Sequence, residues 1–197
     1  ECNSGFRSDL NRIGAFCKEK GVLFFVDAIQ SLGVIPMDVK KDHIDFLSAD
    51  GHKWMLSVEG LGGFYISKEV VDRIRPVTMG WGNVVNAANF MDYDFTLKED
   101  AKKFEEGTPN TMSIYAFGAA LDLLLEVGIR NIEKRVMHLG DCIITELNRR
   151  GIKIYSSTFS EERSGNISFT LDKDVDPLYS YMMENKVKLT VRDGLVR

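Results

Sequence analysis

The sequence predicts an α/β fold: the later part of a mixed-sheet domain, followed by a smaller α+β domain. Three observations carry this. Residues 8–20 (SDLNRIGAFCKEK) place Leu10, Ile13, Phe16 and Cys17 at helical spacing. VLFFVD follows directly, an apolar run ending in a carboxylate; a helix feeding a fully apolar strand is the pattern of a sheet buried on both faces. Beyond Gly128 the chain changes to a long amphipathic helix and short strands.

In chain order, Ser8 is a candidate N-cap for the first helix and Gly21 its terminator. Ile44 to Ser48 and Gly62 to Ile66 read as a second and a third strand. Ser67 opens a short helix through Arg75, stopped by Pro76. Val77 to Lys103 is irregular, with Gly80, Gly82 and two aromatic clusters, and reads as a long loop over a site. Helices are expected over Thr111 to Leu125 and over Asn131 to Arg150. The second carries an apolar stripe of Ile132, Val136, Leu139, Ile143 and Leu147. Ile152–Tyr155, Asn166–Leu171 and Val187–Val191 read as strands, and Pro177–Asn185 as a helix. The break at Gly128 sets the expected domains at 1–127 and 128–197.

Composition excludes some function classes. Hydrophobic residues are 44% and charged residues 27%, as in ordinary globular chains. A net charge of -4 without a basic stripe argues against a nucleic-acid surface. The apolar runs Val22–Val26 and Leu121–Leu125 are too short to span a bilayer, so no membrane partner is expected. No secretion signal is legible. Cys2, Cys17 and Cys142 form no CxxC pair, and His43, His52 and His138 lack ligand spacing, so no metal site is expected. The cysteines read as reduced, mostly buried thiols of a cytoplasmic protein.

Three segments carry chemistry. Asp27 ends the apolar strand, where open α/β sheets place their sites and a buried carboxylate needs a cationic partner; taken alone it also reads as an N-cap or an exposed loop Asp. SADGHKW follows another strand and gathers Asp50, His52 and Lys53 in a glycine-containing turn; desolvation beside aromatic and apolar residues suits a nucleophilic or Schiff-base lysine, while a lone lysine also reads as a solvated loop residue. GTPNT, 107–111, precedes a helix, where a hydroxyl and free backbone N–H groups make an anion site or a plain helix start capped by Thr108 or Thr111.

Taken together, VDAIQSLG, DFLSADGHKW with GLGGFYIS after it, and FEEGTPNT resemble, in order, the ring, lysine and phosphate segments of the class V aminotransferase group of fold-type-I pyridoxal-phosphate (PLP) enzymes. The relatives include cysteine desulfurases, selenocysteine lyases and isopenicillin-N-epimerase-like proteins. The resemblance covers most of the chain. It implies that 1–127 is the C-terminal part of the PLP-binding large domain and 128–197 an incomplete small domain. The N-terminal ECNSGFRSDL is similar to the middle of such a protein and VRDGLVR to the start of its closing segment, which implies a piece of a longer polypeptide.

The same resemblance implies roles. Lys53 would carry PLP and shuttle the α-proton, and Asp27 would pair with the pyridine nitrogen, so that the ring acts as an electron sink. Gln30 would meet the ring hydroxyl and His52 the phosphate. Asp50 stands where many relatives have a phosphate-contacting Ser, and its charge repels phosphate unless it faces away or accepts an N–H. Thr108 would reach the phosphate of the neighbouring subunit in a homodimer. Arg197 matches the substrate-carboxylate arginine, a bidentate anchor, with Arg192 a second candidate. Trp81 is a candidate wall of the pocket for a small amino acid. The desulfurase loop cysteine is missing between Arg192 and Arg197. The implied activity is therefore transamination, with a desulfurase or selenocysteine lyase next, and a catalytically inactive binding or regulatory module as the non-enzymatic alternative.

Overall fold

The structure, a computed structural model, describes residues 1–91 and 93–197. Contacts group them into two units. One comprises Asn11–Leu32 and Met37–Leu124; the other comprises Glu1–Leu10, Gly33–Pro36 and Leu125–Arg197. Residues 1–10, assigned by sequence to a 1–127 domain, therefore group with the C-terminal residues. The ties are a bridge between Phe6 and Arg163, a bond from Arg7 N to Glu162 O (2.8 Å), and an ion pair of Arg7 with Glu133 (3.0 Å).

In the first unit, α1 spans Leu10–Glu19, starting two residues past Ser8. Gly21 ends it with a φ of 65°, while Val22 N returns to Cys17 O at 2.9 Å. Three strands follow: β1 (Phe25–Asp27), β2 (Phe46–Asp50) and β3 (Gly62–Ile66), in the order β1-β2-β3. The β1–β2 pair is parallel and the β2–β3 pair antiparallel, so the sheet is mixed. Val26, Leu47 and Ala49 lie on one face and are buried. The opposite face is not: Phe25 is 53% exposed and Phe64 45%. The expectation of a sheet buried on both faces fails for these residues, because an apolar face stays wet unless a layer lies over it. Phe104 covers Phe64 only in part, edge to face at 5.5 Å.

The expected helix over 67–75 shrinks to a 3₁₀ turn at Val71–Arg73. The β-branched Val70, Val71 and Ile74 disfavour continuation, and Ile74 is already extended ahead of Pro76. Among the described residues, 77–91 and 93–100 are irregular, and a 3₁₀ turn follows at Ala101–Phe104; Asn83, which is completely buried, ties several of them together. Its Oδ1 accepts from Gly80 N, its Nδ2 donates to Lys103 O (2.6 Å) and its carbonyl accepts from Lys98 N (2.9 Å). Replacing Asn83 by Ala strands a buried N–H and a buried carbonyl. The expected cost is about 1–3 kcal/mol, read by denaturant unfolding.

Asp94 closes the same segment beside the Val84–Leu97 bridge. Its carboxylate accepts from Thr96 N (2.9 Å) and Asn86 Nδ2 (3.0 Å). The carboxyl is held below its ordinary value by the Thr96 hydroxyl first, then by the Thr96 N–H, with Asn86 adding to it. A depressed carboxyl stabilises fully above its unfolded value and loses that contribution as pH falls through the folded value. Exchange of the Thr96 amide, corrected for intrinsic rates, is therefore expected to speed up on acidification below the usual carboxylate range. Asp94→Asn should abolish that response.

Helix α2 spans Thr111–Val127 and α3 spans Ile129–Arg149, separated by Gly128 at a φ of 85°. Asn110, rather than Thr108 or Thr111, caps α2: its Oδ1 accepts from Ser113 N at 3.2 Å. In α3 the buried positions are Gly140, Ile144 and Leu147, whereas Leu139 and Ile143 are exposed. Only Leu147 of the expected stripe reaches the core. Gly140 shifts the inward face: the Arg163 guanidinium packs where its side chain would be, 3.4 Å from an ideal Cβ. Arg163 is itself buried and paired with the Asp141 carboxylate.

The second unit holds β4 (Lys153–Ile154), β5 (Phe169–Thr170), α4 (Asp176–Glu184), β6 (Val191–Arg192) and β7 (Leu195–Val196), with sheet order β4-β5-β7-β6. Ile144, Leu147 and Ile167 form its core with Ile152, Ile154 and Phe169. The strand expected over 187–191 begins only at Val191 and turns at Asp193–Gly194, both at positive φ, into β7. This is a tight hairpin turn of the Asp-Gly kind. Among the described residues no single helix is long and apolar enough to cross a membrane, and no group of three metal-binding side chains exists. The cysteines are free, but Cys142 is exposed and the other two only half-buried, against the expectation of mostly buried thiols.

Candidate active site

Parallel pairing decides where the chemistry can gather. In β1–β2, Asp27 is registered with Ser48, and Ala28 N donates to Ser48 O at 2.8 Å. Both strands therefore end at the same edge, the carboxyl edge at which open α/β sheets build sites. Asp27 stands on that edge, exposed, with Oδ1 accepting from Ile29 N at 3.0 Å. This shapes the turn carrying Gln30, closed by Ser31 N and Leu32 N donating to Ala28 O, both at 2.9 Å.

From the same edge β2 runs into the loop bearing Lys53. Gly51 pins its start: Gly51 N donates to Leu61 O (2.8 Å), and Ser57 N returns to Gly51 O (2.9 Å). A Cβ at Gly51 would stand 3.1 Å from Leu61 O and 3.4 Å from the Phe117 ring, so a side chain there would press on both. Buried Met55 anchors the far side of the turn. Leu56 N then donates to Lys53 O at 3.0 Å, with Leu56 at a φ of 56°, an unfavourable backbone for a branched side chain. Lys53 is thus held on a short, doubly anchored loop. Its amine makes no hydrogen bond or ion pair among the described residues, and its side chain is half-buried. The His52 Nδ1 lies 4.0 Å from the Asp50 carboxylate. Asp50 faces an imidazole, which offsets its charge whenever that ring is protonated.

Match to known proteins accords with this edge. The family described as aminotransferase class-V matches residues 1–195. The chain belongs to the class-V aminotransferase family. The chain is 36% identical over 132 residues to the uncharacterized aminotransferase YcbU of Bacillus subtilis, covering 67% of this chain and 34% of YcbU. It is 31% identical over 193 residues to a probable cysteine desulfurase of Pyrococcus abyssi, covering 96% of this chain and 46% of that protein. The apo structure of the cysteine desulfurase from Thermococcus onnurineus NA1 superposes with a TM-score of 0.87 at 25% identity, over 96% of this chain and 47% of that one. The fold is that of fold-type-I PLP enzymes, and the chain spans between a third and a half of the length of these relatives.

The donor set fits the family's cofactor. A carboxylate and the loop that carries an unpartnered amine lie at one sheet edge, which suits a ring nitrogen and an aldehyde at opposite sides of one ring. Gln30 and His52 flank them in the adjoining turns. Thr108 is exposed ahead of α2. Trp81 belongs to a different place within the unit. It packs edge to face on Phe90 at 6.0 Å and walls an apolar cleft of about 270 Å³ with Met79, Val84 and Phe95. None of Asp27, His52 or Lys53 lines that cleft. A wider cleft of about 820 Å³ lies at the opposite edge of the sheet, lined by Lys18, Lys40, Tyr65 and Glu69. There burial, then Glu69 and Asp45, raise the Tyr65 hydroxyl above its ordinary value.

The two candidate arginines belong to the other unit. Arg192 lies on β6, and Arg197 follows β7. Arg197 donates to the carbonyl of Cys2, and Arg192 Nη1 stands 4.0 Å from the Cys2 thiol. Sequence reasoning did not single out Gly51 and Met55, which fix the lysine loop. The glycine of SADGHKW was the legible signal; nothing in the sequence distinguishes Met55 from its neighbours.

Proposed function

We propose that the chain is the lysine-bearing part of a PLP enzyme that transaminates a small amino acid. The observation that carries this is the shared carboxyl edge of β1 and β2, which brings Asp27 and the Lys53 loop to one side of the sheet. Bound there, PLP supplies an electron sink for the pair left at Cα when the α-proton departs. Asp27, an anion, holds the ring nitrogen protonated. Gln30 serves the ring hydroxyl and His52 the phosphate. Lys53 anchors the cofactor by its amine, takes the α-proton and returns it to the neighbouring carbon. Arg197, with Arg192 as alternate, receives the substrate carboxylate through paired N–H donors. Asp50 supports His52 rather than the phosphate, and Trp81, whose cleft holds none of Asp27, His52 and Lys53, is given no part in the reaction. A homodimer in which Thr108 serves the partner's phosphate fits the exposure of Thr108. Three free thiols fit a cytoplasmic setting.

A second reading, desulfuration of cysteine, is favoured by one specific contact: the Cys2 thiol lies beside Arg192, on the segment that receives Arg197. The two readings separate by products. The full-length protein with PLP is offered cysteine, and separately alanine with a 2-keto acid. A new amino acid with no sulfide supports transamination; alanine and a persulfide from cysteine, read as sulfide once an added thiol reduces it, overturn it in favour of the second reading. Absence of any lysine-dependent cofactor absorption overturns both and leaves a non-catalytic module.

A further inference from the structure

Arg197 is restrained by more than its own strand. Its backbone exchanges two hydrogen bonds with Thr190, both 2.9 Å. Phe169 of β5 is registered antiparallel with Val196 of β7, which carries the ladder on to place Ser168 beside Arg197. Ser168 is completely buried. Its backbone is committed on both sides: its N donates to Ser156 Oγ at 2.7 Å, and its carbonyl accepts from Tyr155 N at 2.8 Å and Ser156 N at 3.1 Å. The remaining polar atom, Oγ, donates to the carbonyl of Asn3. The carbonyl one residue earlier, that of Cys2, accepts from Arg197 Nη1.

We propose that Ser168 is a positioning residue for Arg197: by holding the Asn3 carbonyl it steadies the segment whose Cys2 carbonyl sets the guanidinium that binds the substrate carboxylate. The proposal rests on the function proposed above, in which Arg197 binds that carboxylate. Its physical basis is conformational. A guanidinium carries five N–H donors in a rigid fork, and one bond to a fixed carbonyl sets the plane of the rest. An arginine held in this way loses less rotamer freedom when the carboxylate arrives, so the benefit appears as tighter binding. The two carbonyls lie in adjacent peptide planes joined at the Asn3 Cα, and anchoring Asn3 O restricts that joint and so the rotation available to Cys2 O. Without the hydroxyl, the segment keeps its strand neighbours but loses the tie that aims the acceptor.

The test uses the full-length protein loaded with PLP and compares Ser168→Ala, Ser168→Thr, Arg197→Ala and the Ser168→Ala/Arg197→Ala pair. Two quantities are read: KM and kcat for the amino-acid donor, and calorimetric Kd for 2-methylalanine, which carries the carboxylate but no α-proton. Ser168→Ala is expected to raise KM and Kd about tenfold while kcat stays within about twofold. Ser168→Thr, which keeps the O–H, should restore both. In the Arg197→Ala background the serine change should add nothing, a non-additivity that a merely structural serine would not show. Should Ser168→Ala fail to fold, Ser168→Cys keeps the volume with a weaker donor and is expected to give an intermediate rise. Unchanged KM and Kd in the Ser168 variants, with Arg197→Ala impaired, overturns the proposal alone. Unimpaired Arg197→Ala removes the arginine's role, and the proposal with it, while the Lys53-dependent cofactor band still stands.

Discussion

Replacing Lys53 by Ala is expected to remove the visible absorption that PLP acquires on binding covalently to the protein, and to cut turnover at least about 10³-fold. The size follows from two roles held by one amine. In the proposed function Lys53 anchors the cofactor, and the same nitrogen moves the α-proton. His52, the neighbouring basic side chain, is assigned to the phosphate in the function proposed above. The fold should survive: the loop is held by Gly51 and Met55 and by the Lys53 carbonyl, none of which the substitution touches. The measurement is an absorption spectrum of wild type and variant at saturating PLP, with far-ultraviolet circular dichroism as the check on folding. A variant that keeps the band would remove Lys53 from the mechanism.

Asp27→Asn should leave structure intact and lower turnover by about 10²–10³-fold, the usual scale for losing one preorganised electrostatic partner. Asparagine retains the side-chain oxygen that accepts from Ile29 N, so the turn carrying Gln30 should persist. What disappears is the negative charge that keeps a pyridine nitrogen protonated, and with it the capacity to accept electrons from Cα. The effect should fall on kcat with donor KM little changed, since the arginine proposed to bind the substrate carboxylate is elsewhere in the chain. Stopped-flow kinetics with deuterated donor would show a larger isotope effect in the variant, as proton removal becomes slower. An unchanged kcat would argue that Asp27 serves only as the Asx-type cap of its turn.

Much of the fold was legible because local rules sufficed. Glycine at 21 and 128 ends or separates helices through positive φ, and GLGGFYIS forms a strand at the expected residues. The ring and lysine segments were legible because the chemistry needs those residue types at strand ends. Other features were set by long-range contact. The short 3₁₀ turn at 71–73 lost to β-branching and Pro76. The inward face of α3 turned on Gly140, whose missing side chain admits Arg163, a residue far along the chain. The DG of VRDGLVR carried a hairpin signal that the family likeness overshadowed.

The sequence by itself determined the family, the carboxylate and lysine at two strand ends, and the order of the elements, because each depends on neighbours within a few residues. Only the tertiary structure decided that Asp27 and Lys53 share an edge, since parallel register is fixed between strands and not along one. It also decided that Asn83 ties Gly80, Lys98 and Lys103 together and that Ser168, Asn3, Cys2 and Arg197 form one hydrogen-bonded chain. Such bonds join residues distant in sequence, and a buried polar group finds its partner only once the fold has closed around it.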